Sequence, residues 1–133
     1  MRIMLDTNIL ISVIIFNSNK LKELLVNICD NHTLILSSYI IEELEDVVNR
    51  KFSSKKASLS KFLYQLPYEL NYTPLDVIKD SEIEIRDPKD LPILNSAIVS
   101  DVDIFITGDK DFENVQIEKP VIMTAIEFLE RYN

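Results

Sequence analysis

Glycine, cysteine and histidine occur once each, as Gly108, Cys29 and His32, and tryptophan is absent. One cysteine excludes an internal disulfide framework and a cysteine-rich zinc site. One histidine argues against a histidine-based metal site or a nucleophilic triad. One glycine excludes the phosphate-cradling loops that need several. Positive charge is also scarce: 14 Lys and Arg stand against 22 Asp and Glu, a net charge of −8. A chain of that sign has no general attraction for nucleic acid. Long apolar runs are missing too. The stretch from Ile9 to Phe16 contains Ser12 and is too short to span a bilayer. Asp6 precedes it and no small-residue cleavage site follows, so a signal peptide is not expected. These absences point to a cytoplasmic protein.

What remains is an apolar, helix- and strand-rich chain. Its 133 residues are 47% apolar. A domain of this length buries roughly two-thirds of its unfolded surface, so a single domain over 1–133 is expected. The acidic excess is unevenly placed. Residues 47 to 68 carry Arg50, Lys51, Lys55, Lys56 and Lys61 and no acid, interleaved with Phe52, Phe62, Tyr64 and Tyr68. Such a tract can grip a nucleic-acid backbone. It reads equally as a solvated helix face whose aromatics pack inward.

Apolar strand-like runs alternate with helical periodicity, which predicts an α/β fold with a central parallel sheet of about five strands. Arg2 to Leu5 reads as a buried strand, with Thr7 as cap of a helix from about Asn8. Leu21, Leu24, Leu25 and Ile28 form a helical stripe. Thr33 to Leu36 is a second strand, and Ser37 or Ser38 caps a helix from Tyr39 to Arg50. A helix over 55–66, ended by Pro67, and a third strand within 69–77 follow. Pro92 fits only the first turn of a helix, with Leu91, Leu94, Ala97 and Ile98 on its apolar face. Asp103 to Ile106 and Val121 to Met123 complete the strands, and a last helix runs through Tyr132.

Ligands of open α/β sheets bind at the carboxyl ends of the strands. Asp6 follows the first strand directly, where a solvated surface charge is a poor explanation. A helix cap is the structural alternative. On the helix from Tyr39 the apolar stripe is Ile40, Ile41, Leu44, Val47 and Val48. Glu42 and Asp46 point away from it, while Glu43 and Glu45 border it, and periodicity does not choose between them. Asp90 can cap its own helix, unless Asp87-Pro88 makes the turn and leaves Asp90 for a site. Asp109 follows the only glycine, which signals a positive φ or a close backbone approach; a plain turn is the alternative. Asp111 is a weaker candidate for the same place. Two ionised carboxylates about 5 Å apart repel by about 3 kcal/mol at an effective dielectric near 20. A cluster of them must hold protons or bind a cation. With oxygen ligands alone, Mg²⁺ or Mn²⁺ fits best.

Four segments carry a resemblance to a known family: MLDTNILIS (4–12), LSSYIIEEL (36–44), RDPKDLPILNSAI (86–98) and IFITGDKDF (104–112). The closing IMTAIEFLERY (122–132) agrees with them. The chain resembles the PIN-domain ribonucleases, most of all the VapC-type toxins of toxin–antitoxin pairs. The resemblance implies a three-layer α/β/α fold. It places the family's catalytic, metal-binding acids on Asp6, Glu43, Asp90 and Asp109, and its supporting polar positions on Thr7, Asn8 and Thr107. Residues 52 to 85 do not align, and nothing is carried onto them.

The implied activity is Mg²⁺- or Mn²⁺-dependent hydrolysis of RNA phosphodiesters, leaving a 5′-phosphate and a 3′-hydroxyl. It needs no protein nucleophile. A cognate antitoxin and a homodimer are further implications. The alternatives are an RNA processing or decay nuclease and a catalytically silent PIN-like binding module. A receiver-type signalling domain needs an adjacent acid pair after the first strand, and Leu5-Asp6-Thr7 offers one acid. An Asp-x-Asp phosphatase is opposed by Asn8.

Overall fold

The computed structural model describes residues 1–78 and 83–132. The strands are β1 (Arg2–Leu5), β2 (Thr33–Ser37), β3 (Glu69–Asn71), β4 (Ile104–Ile106) and β5 (Val121–Met123). They form one parallel sheet in the order β3-β2-β1-β4-β5. The helices are α1 (Thr7–Ile14), α2 (Asn19–Asn31), α3 (Ser38–Lys51), α4 (Lys56–Gln65), α5 (Leu75–Ile78), α6 (Leu91–Val99) and α7 (Ala125–Tyr132). Short 3-10 turns cover Ser53–Lys55, Pro88–Asp90 and Lys110–Phe112.

The strand order explains the layering. The chain steps from β1 outward to β2 and β3, then returns to β4 and β5 on the other side of β1. Parallel crossovers are right-handed, so reversing direction moves the connecting helices to the opposite face of the sheet. The result is the expected three-layer α/β/α arrangement. The middle strands are therefore covered on both sides, and their residues are apolar in unbroken runs rather than alternating. Ile3, Met4, Leu5, Leu34, Ile35, Leu36, Ile104, Phe105 and Ile106 are all buried. No helix among the described residues is long and apolar enough to cross a membrane.

Two local expectations fail for identifiable reasons. The third strand is three residues long: the Thr73 N–H donates to Ser38 Oγ at 2.8 Å instead of extending the ladder, and the chain enters α5 at Leu75. The cap of α1 is Asp6, not Thr7, which is already helical. Elsewhere the local chemistry acts as the sequence suggests. The Ser37 hydroxyl accepts from the Ile40 N–H at 3.2 Å and donates to Ser96 Oγ at 3.0 Å, tying the start of α3 to α6. Ser37 is fully buried. Ser37→Ala is expected to cost about 1–2 kcal/mol, read as a lower urea midpoint at unchanged m-value.

Sheet order also fixes where a ligand can sit. The direction of winding reverses between β1 and β4, which opens a crevice at their carboxyl ends. Residues 6–8 leave β1 there and residues 107–109 leave β4.

Candidate functional site

The two loops are locked together by hydrogen bonds. The Asp6 N–H donates to the Ile106 carbonyl at 2.9 Å, and the Thr107 N–H donates to the Met123 carbonyl at 3.0 Å. Thr107 Oγ1 donates to Asp6 Oδ2 at 2.7 Å and accepts from the Asp109 N–H at 3.0 Å. One buried hydroxyl thus spans the carboxylate after β1 and the backbone after β4. Asp6 itself is 6% exposed. It occupies the cap position of α1 but its side chain makes no capping bond. The simplest structural use for this aspartate is therefore not the one it serves.

Asp6, Thr7, Asn8, Glu43, Asp90 and Asp109 line a single cleft of about 270 Å³, together with Asp46, Arg50 and Lys89. Four acids from four separate segments are brought to one place, as the resemblance implies. Glu43 lines the cleft and Glu45 does not, which separates the two residues that periodicity left equal. Asp90 is released for the cleft because Asp87 does the turn work: Asp87 Oδ1 accepts from the Lys89 N–H at 3.0 Å, and Asp90 makes no capping bond. Asp109 keeps a turn role as well, since its Oδ1 accepts from the Asp111 N–H at 2.9 Å. Asp111 stands just beyond, with one carboxylate oxygen within 4.8 Å of oxygens of Asp87 and Asp90 and an ion pair to Arg86 at 3.4 Å.

Gly108 differs from expectation. Its φ is not positive, and a Cβ built on it meets nothing within 4 Å. The turn at 107–109 is made by the Thr107 hydroxyl and the Asp109 carboxylate, not by glycine's backbone freedom.

Crowding and burial leave their mark on the acids. Burial chiefly, then the charges of Glu43 and Asp109, push Asp6 up to about 6, against the opposing pull of the Thr107 hydroxyl. Asp90 is raised to about 7, first by desolvation, then by Asp109, a hydrogen bond with Asp111, and the charges of Asp87 and Asp111. Tyr39, in the first turn of α3, is raised to about 12 by burial, by the Glu43 charge and by a hydrogen bond to Glu43. Two buried oxygens, Thr7 Oγ1 and Asp90 Oδ2, have no hydrogen-bond partner among the described residues. Buried polar atoms are rarely left so. An oxygen-only donor set, mutual repulsion and two orphaned oxygens together suit a hard divalent cation. Among the described residues the trio whose oxygens already lie within 4.8 Å of one another is Asp87, Asp90 and Asp111; Asp6, Glu43 and Asp109 share the cleft with Asp90 at wider spacing.

Three cleft neighbours were not anticipated. Asp46 was expected to face away, yet Glu43, Asp46, Val47 and Arg50 all line the cleft. Their spacing is i, i+3, i+4, i+7, a second helical face beside the core stripe. That polar periodicity was the available signal. Lys89 follows from its adjacency to Asp90. Tyr39 lies one turn before Glu43 and had no distinguishing signal.

Of the basic tract, only Arg50 reaches the cleft; Lys51, Lys55, Lys56 and Lys61 are exposed elsewhere. Phe52, Phe62 and Tyr68 pack against the core, whereas Tyr64 is 91% exposed. Cys29 and His32 lie outside the cleft. The Cys29 thiol is half-buried and raised in pKa by burial and Asp30. The His32 ring sits edge-on to Phe128 and Tyr132.

A parallel α/β domain with a carboxylate-lined cleft at its switch point is the class that fold and site define together. The chain belongs to the PIN domain family, whose sequence profile matches residues 2–111. Among solved structures it is similar to a chain of the VapBC2 complex from Rickettsia felis, crystallised bound to a DNA fragment from the promoter. The TM-score is 0.68 at 20% identity, over 92% of this chain and 97% of that one. No curated protein is a sequence match to this chain.

Proposed function

We propose that this protein is a Mg²⁺- or Mn²⁺-dependent endoribonuclease, the toxin of a toxin–antitoxin pair acting on cytoplasmic RNA. The observation that carries the reading is the meeting of Asp6, Glu43, Asp90 and Asp109 in one cleft. Membership of the PIN family supports hydrolysis, and the structural likeness to a VapBC2 chain supports the pairing with an antitoxin. A homodimer is part of the same reading.

Asp6 and Asp90 would hold the ion, with Glu43 and Asp109 completing the donor set. The chemistry such an ion would supply is a lowered pKa for a bound water, giving a nucleophile for phosphorus, and neutralisation of charge on the phosphate oxygens. The chain supplies the rest. Thr107 fixes the rotamer of Asp6 and ties it to the Asp109 backbone. Tyr39 steadies Glu43 through the hydrogen bond between them. Burial and neighbouring acids make Asp6 and Asp90 hold protons more readily in the empty site, so a bound cation would displace protons from them.

Thr107→Val keeps the shape and removes the hydroxyl. It is expected to lower cleavage by roughly 10–100-fold, the usual cost of losing a partner that orients a metal ligand. An RNA cleavage assay in Mg²⁺ or Mn²⁺ reads it; wild-type rates in this variant would remove Thr107 from the account. The reading as a whole is tested by incubating purified protein with RNA, with and without EDTA. Metal-dependent cleavage with 5′-phosphate products is expected, and its absence would end the nuclease assignment. A short gene immediately upstream, whose product binds the protein and suppresses cleavage, would mark the toxin role.

A further inference from the structure

Five acids line the cleft, and an RNA strand is itself a polyanion. Phosphates approach such a surface only where fixed cations offset the repulsion. Among the described residues that line the cleft, the cations are Arg50 and Lys89. They come from different walls. Arg50 is in the last turn of α3, on the face shared with Glu43 and Asp46. Lys89 is in the 3-10 turn that delivers Asp90.

Their chemistry suits phosphate. Arg50 Nε donates to Asp46 Oδ2 at 3.1 Å, which orients the side chain and spends none of its terminal Nη donors on that bond. Those donors form the fork that matches two phosphate oxygens. The pair with Asp46 is an exposed i, i+4 pair, and such pairs are weak enough to yield to a stronger anion. Lys89 is exposed and has no ion pair among the described residues. It is a point charge beside a candidate metal ligand. The rest of the basic tract lies outside the cleft.

The geometry points to Arg50 and Lys89 as positioning residues that seat the phosphates on either side of the scissile linkage. The inference rests on the nuclease reading and deepens it. A substrate must then carry a phosphate both before and after the bond that breaks. The cleft then takes an internal linkage, since a chain end fills only one of the two seats.

The test uses full-length protein carrying Asp6→Asn, so that RNA is bound without being cut. Anisotropy of a fluorescent single-stranded decanucleotide is followed against salt in the presence of Mn²⁺. Each of Arg50→Gln and Lys89→Gln is expected to reduce the slope of log K against log salt by about 0.7, and the double variant by about 1.4. Lys20→Gln, on exposed α2, is the control and leaves the slope unchanged. All three side chains are exposed, and matching thermal midpoints confirm that the variants fold. In the cutting protein, KM for an internal linkage rises in both variants while kcat falls less. Wild-type protein prefers oligonucleotides with phosphates on both sides of the cut, and the double variant loses that preference. Unchanged slopes, or terminal linkages cut as readily as internal ones, overturn the inference. If slopes fall but the wild type cuts no RNA, the phosphate seats stand and the hydrolytic reading falls.

Discussion

Asp6→Asn is expected to abolish RNA cleavage and, in metal-free protein at neutral pH, to raise stability. The two effects have one cause. Asp6 is buried beside Glu43 and Asp109, so its carboxyl titrates at about 6 in the folded chain against 3.8 for the free group. The folded state holds that proton more tightly than the unfolded state. The stabilisation this gives is complete below pH 3.8 and is lost as pH rises through 6. At pH 7 the ionised group costs the empty site up to about 3 kcal/mol. Asparagine removes the charge, keeps the shape, and still accepts from the Thr107 hydroxyl. A thermal midpoint several degrees higher than wild type is expected in EDTA at pH 7, and no gain at pH 3.5. Cleavage should fall by more than the roughly 100-fold that losing an outer partner can cost. A variant that cuts RNA at the wild-type rate, or that melts lower in EDTA, would contradict this role.

Phe105→Ala is expected to bring the protein close to unfolding. Phe105 lies at the middle of β4, between β1 and β5, and is fully buried. Its ring meets Phe112 edge-on at 5.3 Å between centroids. Truncating such a residue costs about 3–5 kcal/mol through lost transfer energy and the cavity left behind. Small domains have only about 5–15 kcal/mol in all. The damage is expected to reach the cleft, because β4 carries Thr107 and Phe112 closes the turn after Asp109. Urea unfolding reads the loss as a midpoint shift; a shift equivalent to less than about 1 kcal/mol would mean that β4 is not central to the core.

The buried strands were legible because both faces of the sheet are covered. Arg2 to Leu5, Thr33 to Leu36 and Asp103 to Ile106 stand out as apolar runs bounded by polar residues, and the structure places buried strands over them; Val121 to Met123 was legible from its apolar run alone, since β5 is an edge strand with Val121 exposed. At the sheet's edge, β3 is short and largely exposed, so it lacks that signal and its end was misplaced. Among the acids, Asp6 was conspicuous because a carboxylate interrupts the chain directly after a buried strand. Glu43 and Glu45 were not separable, since both flank the same apolar stripe. The packing of α3 against α1, α4, α6 and β2 decides which flank faces the crevice. For the same reason Asp46 looked outward-facing: a helix has one core stripe but several other faces, and its own periodicity does not say which borders a cleft. Gly108 misled because a glycine's absence of side chain is a signal only when the backbone needs it, and here it does not.

The central claim is that separated carboxylates converge to bind a divalent cation. Calorimetric titration of Mn²⁺ into metal-free protein tests it without reference to any RNA. The account predicts saturable binding by the wild type, accompanied by proton release near pH 6 to 7, where Asp6 and Asp90 titrate. Asp6→Asn and Asp90→Asn should each weaken that binding by more than tenfold, while Glu45→Gln leaves it intact. Equal Mn²⁺ affinity in the wild type and in both aspartate variants, or no binding by any of them, would contradict the claim.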